Sequence, residues 1–133
     1  MRPANGPLTL LAWVAVMGLL ATGCATEQRT IGRNDPTCFR AIPVAKAAIS
    51  GVSHFVSARR LGPAGARRAF PGAHLGADGA LCVVAYSGRF RPGMVRSASS
   101  GAGSYAVMVV AASDDRLVHA EVTDRLPRLF RRA

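Results

Sequence analysis

The sequence predicts an α+β domain, with one N-terminal helix packed on a three-stranded antiparallel meander. Three patterns carry that expectation. Ile42, Ala45, Ile49, Val52 and Val56 recur at the spacing of one helical face. Two runs, Ala80 to Tyr86 (ALCVVAY) and Ser104 to Ala112 (SYAVMVVAA), are apolar and rich in β-branched residues, as strands with a buried face are. In the third, Val118, Ala120 and Val122 alternate with His119, Glu121 and Thr123, the period of a half-exposed strand over Leu117 to Thr123.

The helix has punctuation at both ends. Pro43 suits a first turn, where a missing N–H costs nothing, and Arg59-Arg60 suit the negative C-terminal end. Gly62-Pro63 then stops it. Gly51 weakens it by about 1 kcal/mol relative to Ala, so its stability rests on packing more than propensity. Pro63, Gly65, Pro71, Gly72 and Gly76 make the stretch from Gly62 to Gly79 a surface connection. Between the first two strands, Arg91 to Gly103 reads as a flexible loop, with Pro92, Gly93, Gly101 and Gly103 among several serines. Ser113-Asp114-Asp115 makes a compact turn into the third strand. The tail Leu126-Pro127-Arg128-Leu129-Phe130-Arg131-Arg132 interleaves apolar residues with Arg. It can close over the sheet, or contact a partner or a membrane surface through Arg128, Phe130, Arg131 and Arg132.

Ahead of this domain lies a different kind of segment. Arg2 and the amino terminus form a short positive region, Leu8 to Ala21 is uncharged and apolar, and small residues follow. Leu20-Ala21-Thr22-Gly23-Cys24 resembles the lipobox of bacterial lipoproteins, with Ala21 where Leu is commonest. The resemblance implies a leader over residues 1–23, cleavage before Cys24, and acylation of that cysteine through a thioether. Each buried CH₂ is worth about 0.8 kcal/mol, so one acyl chain holds marginally and two or more hold stably. Residues 24–35 would then be a lipidated tether and 36–133 the domain, on the extracytoplasmic face of a membrane. The alternatives are an uncleaved helix from Leu8 to Ala25, just long enough to span, and ordinary secretion.

Cysteine arithmetic points the same way. The chain has 3 cysteines, an odd number for an exported protein. Lipidation of Cys24 would leave Cys38 and Cys82 to pair in an oxidising compartment. Closing a loop of about 45 residues would contribute roughly 4 kcal/mol in the chain-entropy picture, a large share for so small a domain. Two buried free thiols, or a reactive pair, are the alternatives.

The formal charge of +10 at pH 7 suggests an acidic partner: anionic lipid headgroups, an acidic wall polymer, an envelope protein or nucleic acid. Lys46 is the one lysine beside many arginines, a skew that GC-rich codon usage produces without selection for phosphate. The cations are scattered in pairs, Arg59-Arg60, Arg67-Arg68 and Arg131-Arg132, and the aromatics sit in segments that call for burial. Nucleic acid is therefore not an expected partner.

Catalytic patterns are missing from the sequence. His54, His74 and His119 have no Cys, His or carboxylate at a recognised ligand spacing, so neither a metal nor a cofactor is expected. No two carboxylates among Asp78, Asp114, Asp115, Glu121 and Asp124 are spaced for shared acid–base work. Ser97, Ser99, Ser100 and Ser104 surround Gly101-Ala102-Gly103 without a nucleophile elbow or a helix to orient an anion. A small helix-on-sheet arrangement with Tyr105, Val107 and Val109, the acidic turn Asp114-Asp115 and one further strand resembles PepSY-like and cystatin-like envelope modules. That resemblance implies inhibitory or peptide-binding roles, though the Asp-rich, Gly-terminated strand end of PepSY has no counterpart here. The expectation is a non-enzymatic binding or assembly lipoprotein of the envelope. The alternative is a small accessory hydrolase or ligand-processing protein, its site assembled from His119, Asp114 or Asp115 and the serine loop.

Overall fold

A computed structural model describes residues 36–76, 79–98 and 101–131. The leader, Cys24, the tether, Asp78, Ser99, Ser100 and Arg132 lie outside the described residues. The class is α+β, built on one antiparallel sheet of four strands in the order β1-β2-β3-β4. These are β1 (Ser53–Leu61), β2 (Leu81–Phe90), β3 (Gly103–Ala111) and β4 (Leu117–Thr123). A 3₁₀ turn, Pro36–Cys38, leads into α1 (Ala41–Ala47), while α2 (Pro63–Ala69) joins β1 to β2 and α3 (Arg128–Arg131) follows β4.

The second, third and fourth strands lie where the apolar and alternating patterns place them. Three-strandedness is corrected to four, because the single long helix ends early and its second half becomes β1. Ala45 and Ile49 of the helical stripe are buried, but the helix stops at Ala47 and Gly51 takes φ +88°. Beyond it Val52 is 80% exposed. Ser-His-Phe-Val-Ser, with its aromatic, β-branched and hydroxyl residues, propagates a helix poorly and suits a pleated edge. The open backbone edge of β2 decides the matter: β1 pairs along it from Ser53 opposite Gly88 to Leu61 opposite Leu81, with a bulge between Phe55 and Ser57. Arg59 and Arg60 consequently sit opposite Val83 and Cys82, not at a helix terminus.

The surface connection after Gly62 also contains structure. Gly62-Pro63 starts a helix here: Gly62 is the N-cap and Pro63 the first-turn proline of α2. Ala66 and Phe70 turn inward against the sheet face opposite α1. Helices therefore cover both faces, where the sequence predicted one. On one face, Cys38, Ala41, Ala45 and Ile49 pack on Cys82, Val84, Tyr86, Met108 and Val110. On the other, Ala66, Phe70 and Leu75 pack on Leu81, Val83, Val107 and Val109, with Leu129 and Phe130 of α3 partly buried against them. Two covered faces account for the unbroken apolar runs of β2 and β3, the central strands, whose alternate side chains all meet protein.

Arg91 to Gly103 is tied down in its first half. Ser50 N–H donates to Met94 O at 2.8 Å, Arg96 N–H donates to Ala48 O at 2.8 Å, and Val95 is buried. Ala98 makes an isolated parallel bridge to Ala120 of β4. Gly51 is the pivot of this junction, since a Cβ added there would meet Met94 Cε at 3.0 Å in a backbone conformation that L residues avoid. Gly51→Ala is expected to lower stability by about 1–2 kcal/mol, read as a shift in urea midpoint at unchanged slope. An unchanged midpoint would show that the junction relaxes freely.

Candidate functional site

Chain direction gives the sheet two poles. At the first, Cys38 and Cys82 are joined in a disulfide with their Cα atoms 5.5 Å apart, as the thiol count predicts. Arg40, just beyond, donates from Nε and Nη2 to Asp115 Oδ2 at 3.0 and 2.5 Å, tying the start of α1 to the β3–β4 turn. Asp115 holds φ +54° there, and Asp114 accepts from Arg116 Nε at 3.4 Å. Both turn carboxylates are thus engaged by arginines.

In the hydrolase alternative, the turn carboxylates are committed to arginines rather than to His119. His119 Nε2 lies 3.6 Å from Glu121 Oε2, and its ring lies 5.8 Å from that of Phe70, centroid to centroid. Asp114 and Asp115 are turned to Arg116 and Arg40 instead. The buried hydroxyl of Ser57 shares the His119 side of the sheet but belongs to β1, so β2 and β3 separate the two. Three strand spacings of about 4.8 Å put them roughly 14 Å apart, beyond the reach of a base for a nucleophile. Ser97 has φ +62° and precedes Ala98, which bridges Ala120 next to His119, while Ser104 is exposed on β3. Among the described residues there is no group of three or more His, Cys, Asp or Glu able to hold a metal ion.

The basic tail docks by its apolar side. Leu129 and Phe130 are partly buried on the second core, while Arg128 and Arg131 are exposed. Arg131 Nε donates to Leu126 O at 2.5 Å, closing the turn on itself. Phe130 thus serves the core, while among the described residues of α3 the two arginines are the exposed ones. No helix of the described residues is long and apolar enough to cross a membrane.

The second pole, where β1 begins and β2 ends, holds a cleft of about 370 Å³ lined by Val52, His54, Gly88, Arg89 and Met94. It lies some 20 Å along β2 from the disulfide, six residues at about 3.3 Å each between Cys82 and Gly88. Gly88 leaves bare backbone in its wall, since a Cβ there would come within 3.1 Å of both the Phe90 ring and Val52 O. Met94 is held from both sides: its O accepts from Ser50, and Arg91 N–H approaches its Sδ at 3.3 Å. His54 and Arg89 are exposed at the margin. Neither makes an ion pair among the described residues. A second cleft of about 380 Å³ lies beside α2, between Pro63, Arg67, His74 and Leu75.

Close by, Tyr86 donates its hydroxyl to Ile42 O at 3.2 Å, and burial pushes its pKa up from the ordinary tyrosine value. Phe55 meets the Tyr86 ring edge-on at 5.8 Å, and Lys46 Nζ sits 5.7 Å above it while donating to Ser53 Oγ at 2.6 Å. Tyr86 is a satisfied core residue that ties α1 to β2.

None of the cleft residues stands out in the sequence as a site. Val52 reads as the buried stripe of a helix, His54 as a partly buried polar residue of the same helix and Met94 as part of a flexible loop. One available signal was the pairing of Gly51, able to take positive φ, with a following β-branched and aromatic run. Comparison with known protein families, curated proteins and solved structures finds no match to this chain.

Proposed function

We propose that this chain is a lipid-anchored, non-enzymatic binding or assembly module on the extracytoplasmic side of a bacterial envelope membrane. One observation carries the reading. Of 3 cysteines, two are consumed by the Cys38–Cys82 bond, and the third, Cys24, stands at the end of the apolar leader within the lipobox-like run. An internal disulfide suits an oxidising compartment, and a spare cysteine at that place suits thioether acylation.

In this reading the tether reaches the domain at Pro36, beside the disulfide pole. The excess of arginine over carboxylate keeps the module near anionic headgroups or an acidic envelope partner, with the exposed Arg128 and Arg131 contributing charge. Binding is favoured over chemistry because the turn carboxylates are committed to Arg40 and Arg116 rather than to His119, while a pre-shaped cleft is present.

Mass spectrometry of the protein from the membrane fraction, with and without reduction, tests the reading. The expected N-terminal peptide begins at Cys24 and carries a diacylglyceryl group, and reduction adds the mass of two hydrogens to the domain. An intact N-terminus with unmodified Cys24 would overturn the anchor.

A further inference from the structure

We infer that the cleft between Val52, His54, Gly88, Arg89 and Met94 is a binding site for a small monoanion carrying an apolar chain. The inference deepens the reading of the chain as a binding module by naming the ligand chemistry. It does not depend on whether Cys24 is acylated.

The chemistry of the lining is divided. Val52, 80% exposed, forms an apolar wall with Met94 and the bare backbone of Gly88. Met suits a wall that adapts to chains of differing shape, because its unbranched thioether repacks easily. At the margin stand two nitrogen-bearing side chains and no carboxylate: the Arg89 guanidinium presents a planar fork that matches a carboxylate or phosphate, and His54 adds a further donor. A neutral apolar ligand would gain nothing from the guanidinium charge, and a cationic one would be repelled. An apolar chain with one anionic head satisfies both halves.

The site is organised before any ligand arrives. Ser50 and Arg96 backbone bonds, both 2.8 Å, clamp the segment bearing Met94 to the end of α1. The β1–β2 ladder holds His54 opposite Ser87, whose hydroxyl approaches His54 O at 3.5 Å. Ordering costs that weaken binding to mobile loops are thereby reduced. The place in the fold is also apt, since the cleft lies at the pole away from the disulfide and the chain's approach to the domain.

The mature chain, residues 24–133 with Cys24→Ser and the disulfide intact, holds the whole described fold and is the molecule to titrate. Amide chemical shifts would be followed on adding octanoate, N-acetyl-dileucine or octylammonium. The two anions separate a fatty-acid source from a peptide C-terminus, and binding of either, with shifts centred on Val52, His54, Arg89 and Met94, supports the site. Arg89→Gln should weaken that binding about ten-fold, the effect of losing one charge-assisted hydrogen-bonded pair. Arg68→Gln, an exposed substitution on α2, should leave it unchanged. Equal binding of octylammonium, failure of both anions, or equal weakening by Arg68→Gln would overturn the assignment, the last by showing attraction to overall charge alone.

Discussion

Replacing Cys38 and Cys82 together by alanine is expected to lower the unfolding free energy by about 4 kcal/mol, within the 2–5 kcal/mol usual for native disulfides of small domains. The bond closes a loop with a sequence separation of 44. In the chain-entropy picture that restriction of the unfolded chain is most of the effect, and both half-cystines are fully buried, so the lost sulfur atoms add a packing cost. The loss has a particular place. α1 is only 7 residues long and has no side-chain cap, so it is too short to persist unless held against the sheet. Cys38 enters from the turn just before α1, and Cys82 lies in β2, beneath that layer. In the double variant, hydrogen exchange of the α1 amides should rise more than that of β3, in addition to the drop in urea midpoint. A loss below about 1 kcal/mol, or uniform acceleration of exchange, would show that the layer is held by packing alone.

Met108→Ala is expected to cost about 2–5 kcal/mol, comparable in size to the disulfide and a large fraction of a small domain's stability. Met108 is fully buried in the third strand, opposite Val84 on one side and Ala120 on the other. Its side chain belongs to the α1 face of the sheet, where alanines at positions 41, 45, 58, 106 and 120 leave few bulky groups. One long side chain therefore fills a space that small neighbours cannot, and truncation leaves a cavity that a paired β-ladder on both flanks cannot collapse. Met108→Leu, nearly equal in volume, should cost less than about 1.5 kcal/mol. Equilibrium denaturation of the two variants decides the matter, and equal costs would mean that Met108 fills no such space.

How much of this was legible differs from element to element. β2 and β3 declare themselves through unbroken apolar runs, and β4 through alternation, because side-chain period and burial are written into consecutive residues. Even there the tertiary structure adds a detail: a register shift between Val109 and Val110 lets Val118 join the second core while His119 and Glu121 share its face. β1 was illegible for a physical reason. Ala45, Ile49, Val52 and Val56 satisfy a helical period, and nothing local says that the stripe will be cut at Gly51. The hydrogen bonds that cut it come from Met94 and from the edge of β2, both well beyond it in the chain. α2 was hidden by an ambiguity in Gly62-Pro63, a pair that ends one helix as readily as it begins another.

The sequence by itself determines the class of the fold and the three later strands, and it raises the expectations of a Cys38–Cys82 pair and, through Cys24 and the leader before it, of a lipid anchor. Each rests on signals carried within a short stretch or on a count of thiols. Only the tertiary structure decides that the sheet has a fourth strand and two covered faces, that the tail spends Phe130 on the core, and that Val52, Arg89 and Met94 meet at one cleft. Those outcomes depend on which distant backbone groups find partners. Spacing along the chain does not encode that choice, because a helical stripe and an edge strand compete for the same residues until a neighbouring strand is present to pair with them.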